Sequence, residues 1–356
     1  MIGGFLGAGK TTTIALLAKH YMDAGLKVGL VTNDQAYNLV DTHTLRSQGF
    51  DVGEVPGACF CCKFDDLVDT ANQLSENETP DLIIAEPVGS CTDLYATVVR
   101  PMEELYGERF EMGPLIVLLK PEHGRRILKG GAGAGFSPKA EYIFLKQIEE
   151  ADFIVVNKAD KLDPTQQSEI QTLVAERFER PAILFSAREK IGWEEFLAAA
   201  DSKGERRQKM MDVDYQIYAE GEAELGWYNC QLKAHSDERF ELDQLVLQLV
   251  ESIGKALHQT GAETAHLKVM GQTLNDAAVA NLVSSQSPAE LSMASEIKTL
   301  QADLLVNARV ATDPDLLTKL VEEQVQDLAT RLGLEMKVDG VQSFRPAPPE
   351  PTHRAE

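Results

Sequence analysis

The stretch GFLGAGKT, residues 4–11, fits G-x-x-x-x-G-K-[ST] at every fixed position and runs into a segment with helical spacing. Side-chain-free turns at Gly4, Gly7 and Gly9, with Ala8 between, let backbone N–H groups crowd round an anion at the start of a helix. Lys10 is then expected to reach the β- and γ-phosphates of a nucleotide, the Thr11 hydroxyl to ligate Mg²⁺, and Thr12 to complete the cradle. The bland alternative is a glycine turn capping a helix. A phosphate loop ordinarily leaves a central strand, yet here Met1 and Ile2 alone precede the glycines. The first strand is expected to be truncated, because removing a central strand would expose the faces and ladder groups of its neighbours.

Downstream of this loop, apolar runs alternate with segments of helical spacing. LKVGLVT (26–32), DLIIAEP (81–87), PLIVLLK (114–120), DFIVVNK (152–158) and PAILFSA (181–187) read as strands. Ile14, Leu17, Ala18 and Tyr21 mark the first helix, closed near Gly25. Strands apolar on both faces and separated by helices imply an α/β, doubly wound, mostly parallel sheet over residues 1–200. Residues 201–212 read as a linker, and 213–340 as a smaller α+β domain. There GWYNCQLKA (226–234), TAHLKVMG (264–271), VANLVSS (279–285), QADLLVNARV (301–310) and 334–338 are strand-like. One helix bears Phe240, Leu242, Leu245, Val246, Leu249, Val250, Ile253 and Leu257, and a second covers 313–332, so the pattern predicts a ferredoxin-like arrangement. The Pro-rich end, 341–356, is expected to be a disordered tail.

The 356 residues carry 34 Lys and Arg against 56 Asp and Glu, a net charge of −22 that repels phosphate backbones and anionic lipid. No nucleic-acid or membrane partner is expected, and the absence of a leader pattern points to the cytoplasm.

NKAD (Asn157, Lys158, Asp160) follows a strand. An aspartate there can accept from the ring N–H and exocyclic amine of guanine, which adenine does not offer as a pair. Ser186 and Ala187 end the next strand and are placed to close over the base. Either tetrapeptide alone is an ordinary turn; their order after the phosphate loop selects GTP. In AEPVGS (85–90), Glu86 ends a buried strand, where a carboxylate packs poorly unless it holds Mg²⁺ or water, and the Gly89 N–H can meet the γ-phosphate.

Three of the five cysteines fall within ACFCCK (58–63). Thiolates at Cys59, Cys61 and Cys62 suit Zn²⁺ or a similar ion and leave a fourth tetrahedral position open. Cys59 and Cys62 also form a C-x-x-C pair that can cycle by redox, and buried small side chains are a third reading. Cys91 can supply a fourth thiolate from the loop after Gly89, against the plainer reading of a buried small hydrophobe. Cys230 reads as core. GGAGAG (130–135) lacks the dinucleotide spacing and reads as a loop near the site. His20 lies on the first helix, and His43, in the segment after the second strand, is the histidine worth testing as a ligand.

With the phosphate loop, GACFCC, EPVG and NKAD in this order, residues 1–200 resemble the CobW-type family of P-loop GTPases. The resemblance implies a GTP-dependent metallochaperone or metal insertase, metal at Cys59, Cys61 and Cys62, and a client metalloprotein or cofactor-assembly protein as partner; a homodimer would be compatible, and with no arginine finger identifiable in the sequence, slow intrinsic turnover is expected. The family's Asn-Glu-Phe-Gly switch reads TNDQAY (32–37) here, so Asp34 stands where the usual glutamate would act. Two other functions remain open. One is a binding module regulated by GTP and metal without metal transfer, and the other a P-loop kinase acting on a small metabolite.

Overall fold

A computed structural model describes residues 1–36, 40–77, 79–130, 137–203 and 210–355, the side chains of 75–77 excepted. The chain divides into two units, Met1–Gln35 with Phe50–Gly221 and Pro348–Glu356, and Ala36–Gly49 with Glu222–Ala347.

The first unit holds seven strands, β1 (Ile2–Gly4), β2 (Val28–Asp34), β3 (Asp51–Pro56), β4 (Leu82–Glu86), β5 (Ile116–Leu119), β6 (Phe153–Val156) and β7 (Ala182–Leu184). All are parallel, in the orders β1-β5-β6-β7 and β3-β2-β4. β1 lies beside β4, so the two ladders follow one another at that point. β5 is buried at every position, as a strand covered on both faces must be. The helices are α1 (Lys10–Asp23), α3 (Phe64–Asn77), α4 (Arg100–Tyr106), α5 (Pro121–Leu128), α6 (Pro138–Glu150), α7 (Pro164–Phe178), α8 (Trp193–Ala200) and α9 (Tyr215–Ala223), the last running into the second unit; α2 (Val40–Ser47) belongs to that unit. Local chemistry sets their ends. Asp163 caps α7 in a reciprocal box with Gln166 ahead of Pro164, and Ser137 caps α6. Every expected strand of this unit is present; β3 went unpredicted because DVGEVP lacks a continuous apolar run.

In the second unit β8 (Gly226–Glu241), β9 (Thr264–Gln272), β10 (Ala277–Leu282), β11 (Glu290–Met293), β12 (Lys298–Val310) and β13 (Glu335–Phe344) form one antiparallel sheet, ordered β11-β10-β9-β12-β8-β13. The order β13-β8-β12-β9, with α10 (Leu242–Gln259) after β8 and α11 (Pro314–Leu332) before β13, is the expected split β-α-β arrangement, extended by the β10–β11 pair. Leu245, Val246, Leu249, Val250 and Ile253 of α10 bury against the sheet together with Leu317, Val321 and Val325 of α11. Phe240 lies in β8, ahead of the helix to which its spacing assigned it.

Three boundaries differ from the sequence reading. Residues 36–49, expected inside the nucleotide-binding domain, belong to the second unit: Val40 packs with Met270, Val279 and Leu305, its N–H donates to Asn307 Oδ1 at 2.8 Å, and Asp41 pairs with Lys268. Residues 213–221, expected at the start of the smaller domain, group with the first unit, which runs to Gly221; of the expected linker, 204–209 lies outside the described residues, as does all of GGAGAG after Gly130. The expected disordered tail is ordered as far as Ala355. Val341–Phe344 continue β13, and 348–355 run extended over the first unit, where prolines reduce the entropy lost on ordering. Among the described residues no helix is long and apolar enough to cross a membrane.

Candidate functional site

The loop from β1 to α1 turns through Gly7 and Gly9 into the left-handed region, at φ +74° and +91°. At Gly9 a Cβ would stand 2.4 Å from Asn157 Nδ2, so both backbone sign and close approach require glycine. Lys10 is 7% exposed; its ammonium donates to the Gly4 carbonyl at 3.0 Å and lies 3.8 Å from Glu86 Oε1. The Thr11 hydroxyl donates to the same carboxylate oxygen at 3.5 Å. Thr12 is exposed at the helix start. Gly89 stands beside this group, where a Cβ would meet Leu6 at 2.7 Å and Lys10 Nζ at 3.1 Å. The phosphate loop, Glu86 and Gly89 are therefore brought together.

Asn157, at the end of β6, is 2% exposed and is the hinge pin of the base-side loops. Its Nδ2 donates to Ala8 O at 2.8 Å, and its Oδ1 accepts from the N–H of Lys158 at 2.8 Å and of Ala187 at 3.3 Å. Lys158 takes φ +61°, which turns the chain so that Asp160 is exposed. Ser186 is buried, its N–H donating to Ile191 O and its hydroxyl accepting from the Glu189 N–H. A ligand between Asp160 and Ala187 would thus lie next to the phosphate loop.

The cysteine loop leaves β3. Asn33, at the end of β2, holds it: Nδ2 donates to Val55 O and Ala58 O, both at 2.7 Å, and Oδ1 accepts the Phe60 N–H at 2.8 Å. The Asp34 carbonyl accepts from Gly57 N–H, which places Asp34 at the root of the same loop. The sulfurs of Cys59, Cys61 and Cys62 all lie within 4.8 Å of one another, with separations of 2.8, 3.4 and 3.7 Å. The thiol contacts of Cys59 with Cys61 and then Cys62 hold its pKa far below the usual value, and the same contacts push Cys61 up and Cys62 up to about 11.

Sequence reasoning missed Asn33, which the neighbouring Asp34 overshadowed, and missed α6 as the support of the loop after Glu86. Gln147 Nε2 donates to Gly89 O at 3.0 Å and Cys91 O at 2.8 Å. One turn on, Glu150 accepts from Thr92 Oγ1 at 3.3 Å and Tyr95 N–H at 3.2 Å. The i, i+3 spacing of two polar side chains on an otherwise apolar helix face was the available signal. His20 is packed between Tyr21 and Trp193 rings. His43 sits on α2 in the second unit, and the thiol cluster consists of the three cysteines without it. Cys230 is buried in the second unit's core, as expected.

A parallel α/β sheet with this phosphate loop, buried acidic strand end and base-side loop defines a P-loop GTPase domain. Residues 1–184 match the family model described as the CobW/HypB/UreG nucleotide-binding domain, and the chain belongs to that family. It is 28% identical over 174 residues to the zinc chaperone YeiR of Escherichia coli strain K12, covering 48% of this chain and 49% of that protein. It is 27% identical over 207 residues to the zinc chaperone CobW of a Sinorhizobium species, covering 53% and 58%. The chain thus spans about half the length of these curated relatives. Among solved structures it is similar to HypB of Helicobacter pylori in complex with nickel, at 21% identity, a TM-score of 0.40, and coverage of 57% of this chain and 89% of that one.

Proposed function

We propose that this chain is a GTP-hydrolysing metallochaperone in which nucleotide state controls capture and release of Zn²⁺ or a similar ion at Cys59, Cys61 and Cys62, for delivery to a client metalloprotein or cofactor-assembly protein. The observation that carries this reading is the convergence of three sulfurs on one loop, with Asn33 fastening that loop to the end of β2. The zinc chaperones among the relatives support the choice of cargo.

In this reading the glycine loop from Gly4 through Thr12 takes the phosphates, Lys10 exchanges its Gly4 carbonyl for phosphate oxygen, and Asp160 with Ser186 and Ala187 reads guanine while Asn157 and Lys158 shape the pocket. Thr11 and Glu86 are the oxygen donors suited to Mg²⁺: a hydroxyl and a buried carboxylate already 3.5 Å apart. When bound there, Mg²⁺ would supply charge neutralisation to the nucleotide phosphates. Gly89, free of a side chain beside Lys10, gives its backbone to the γ-phosphate and helps place the attacking water. Asp34 stands at the root of the cysteine loop, where a nucleotide-driven change in that segment would reach the sulfurs.

The test titrates reduced protein with Zn²⁺, Co²⁺ and Ni²⁺ in the apo, GDP and non-hydrolysable-GTP states, beside a Cys59/Cys61/Cys62→Ser triple variant. Affinity should depend on nucleotide and vanish in the variant. Affinity indifferent to both would end the reading, and a phosphorylated metabolite as product would favour a kinase.

A further inference from the structure

Cys91 lies five residues beyond Glu86, and its thiol is in hydrogen-bonding contact with Cys59 and Cys61. It is 1% exposed, and its backbone is held in a tight turn by the Cys91 N–H to Val88 O bond at 3.0 Å and by Gln147 on its carbonyl. A buried thiol against two others, on a separate loop and outside the group of three sulfurs that all lie within 4.8 Å of one another, can reach the fourth corner of a tetrahedron. We infer that Cys91 is the fourth thiolate of the metal site, closing it in one position of the Glu86–Cys91 loop and opening it in another. This rests on the metal-site reading above. One short loop then carries the Mg²⁺ carboxylate at one end and a sulfur ligand at the other, with Gln147 bonded to its Gly89 and Cys91 carbonyls. A four-thiolate site retains its ion, and withdrawal of Cys91 leaves a three-thiolate site open to transfer.

Co²⁺ loading of the reduced chain tests this, through the thiolate-to-cobalt charge-transfer band. Cys91→Ser and Cys91→Ala should each lose about a quarter of its intensity, one thiolate in four, with GDP binding certifying the fold. An unchanged band in a folded variant overturns the role of Cys91 alone. A wild-type chain without any such band overturns the metal-site reading itself.

A separate set of contacts involves residues 348–355. The Glu350 N–H donates to Cys62 Sγ at 3.2 Å, and the Thr352 N–H and hydroxyl donate to Cys61 O at 2.8 Å and Cys62 O at 3.3 Å. His353 packs edge-on against Phe64 at 4.9 Å. Arg354 Nε donates to Asp93 Oδ2 at 2.8 Å, an acceptor shared with Tyr215, and the Ala355 N–H reaches Ala96 O at 2.9 Å. The segment therefore bonds both the cysteine loop and the loop carrying Cys91, with Pro348, Pro349 and Pro351 favouring its extended form. The geometry points to an internal strap that shields Cys62.

Metal-free, reduced protein without nucleotide suffices for the test. Alkylation of Cys62 by iodoacetamide, read by peptide mass spectrometry, should quicken about tenfold or more in Arg354→Glu and in a variant ending at Ala347, since the lost bonds are worth at least 1.4 kcal/mol together. Equal rates in wild type and both variants would overturn the strap.

Discussion

Asn157 Nδ2 and the Ala8 carbonyl meet at 2.8 Å, so the side chain that shapes the base-side loop also fixes the phosphate loop. Asn157→Ala would strip partners from Ala8 O and from the N–H groups of Lys158 and Ala187 at once. At about 1–3 kcal/mol for a buried group left unsatisfied, GDP affinity should fall by about tenfold or more, and the melting temperature should fall too. Gly9→Ala should be worse, because its Cβ meets Asn157 and its φ is positive. Fluorescent-GDP titration and thermal melting check both; an Asn157→Ala chain with wild-type affinity would remove the hinge role.

Asp160 is exposed, and in the guanine-reading role proposed above it would bond the base through its two carboxylate oxygens. Asp160→Asn replaces one acceptor by a donor, suited to xanthine, whose carbonyl stands where guanine has its amine. GTP affinity should drop about a hundredfold as two charge-assisted bonds are lost, while xanthosine triphosphate gains. Competition between the two nucleotides measures the exchange.

Glu86 shares its Oε1 with the Thr11 hydroxyl and lies near Lys10. Glu86→Gln keeps the shape and removes the charge. GDP binding in the presence of a chelator should be nearly unchanged, whereas the Mg²⁺ concentration needed for half-maximal GTP hydrolysis should rise about tenfold or more. Loss of both together would mean that the substitution disturbs the loop itself.

The glycine turns of the phosphate loop and the gathering of three thiols were legible because each is a short local pattern whose backbone geometry dictates residue type. The four-strand order of the second unit was legible from helix placement between apolar runs. What escaped notice depends on partners far apart in sequence. Asn33 supports Ala58 and Phe60 across a strand pair, and Gln147 supports Cys91 from a helix whose apolar spacing looked sufficient in itself. Residues 348–355 have too little apolar surface to bury, so composition suggested disorder. Their order comes from backbone donors finding the Cys61 and Ala96 carbonyls, which no composition reveals.

Glu150 gives a pH dependence whose sign is fixed by burial. Fully buried on α6, its carboxyl is pushed up to about 8, chiefly by loss of water and further by nearby Asp93, against the opposing bonds from Tyr95 and Thr92. The folded chain then holds a proton that the unfolded chain releases near its ordinary value of 4.5. Stability is fully present below that value, falls as pH rises towards about 8, and levels off above it, a total of a few kcal/mol. Because Glu150 accepts from Thr92 and Tyr95, ionisation acts on the loop that carries Cys91. Glu150→Gln mimics the protonated form and can keep both acceptor bonds. Urea unfolding between pH 6 and 9 should show this downward slope in the wild-type chain and a flatter profile in Glu150→Gln, which becomes the more stable of the two at pH 8 and above. Parallel profiles would mean that the carboxyl does not titrate in the folded chain over this range.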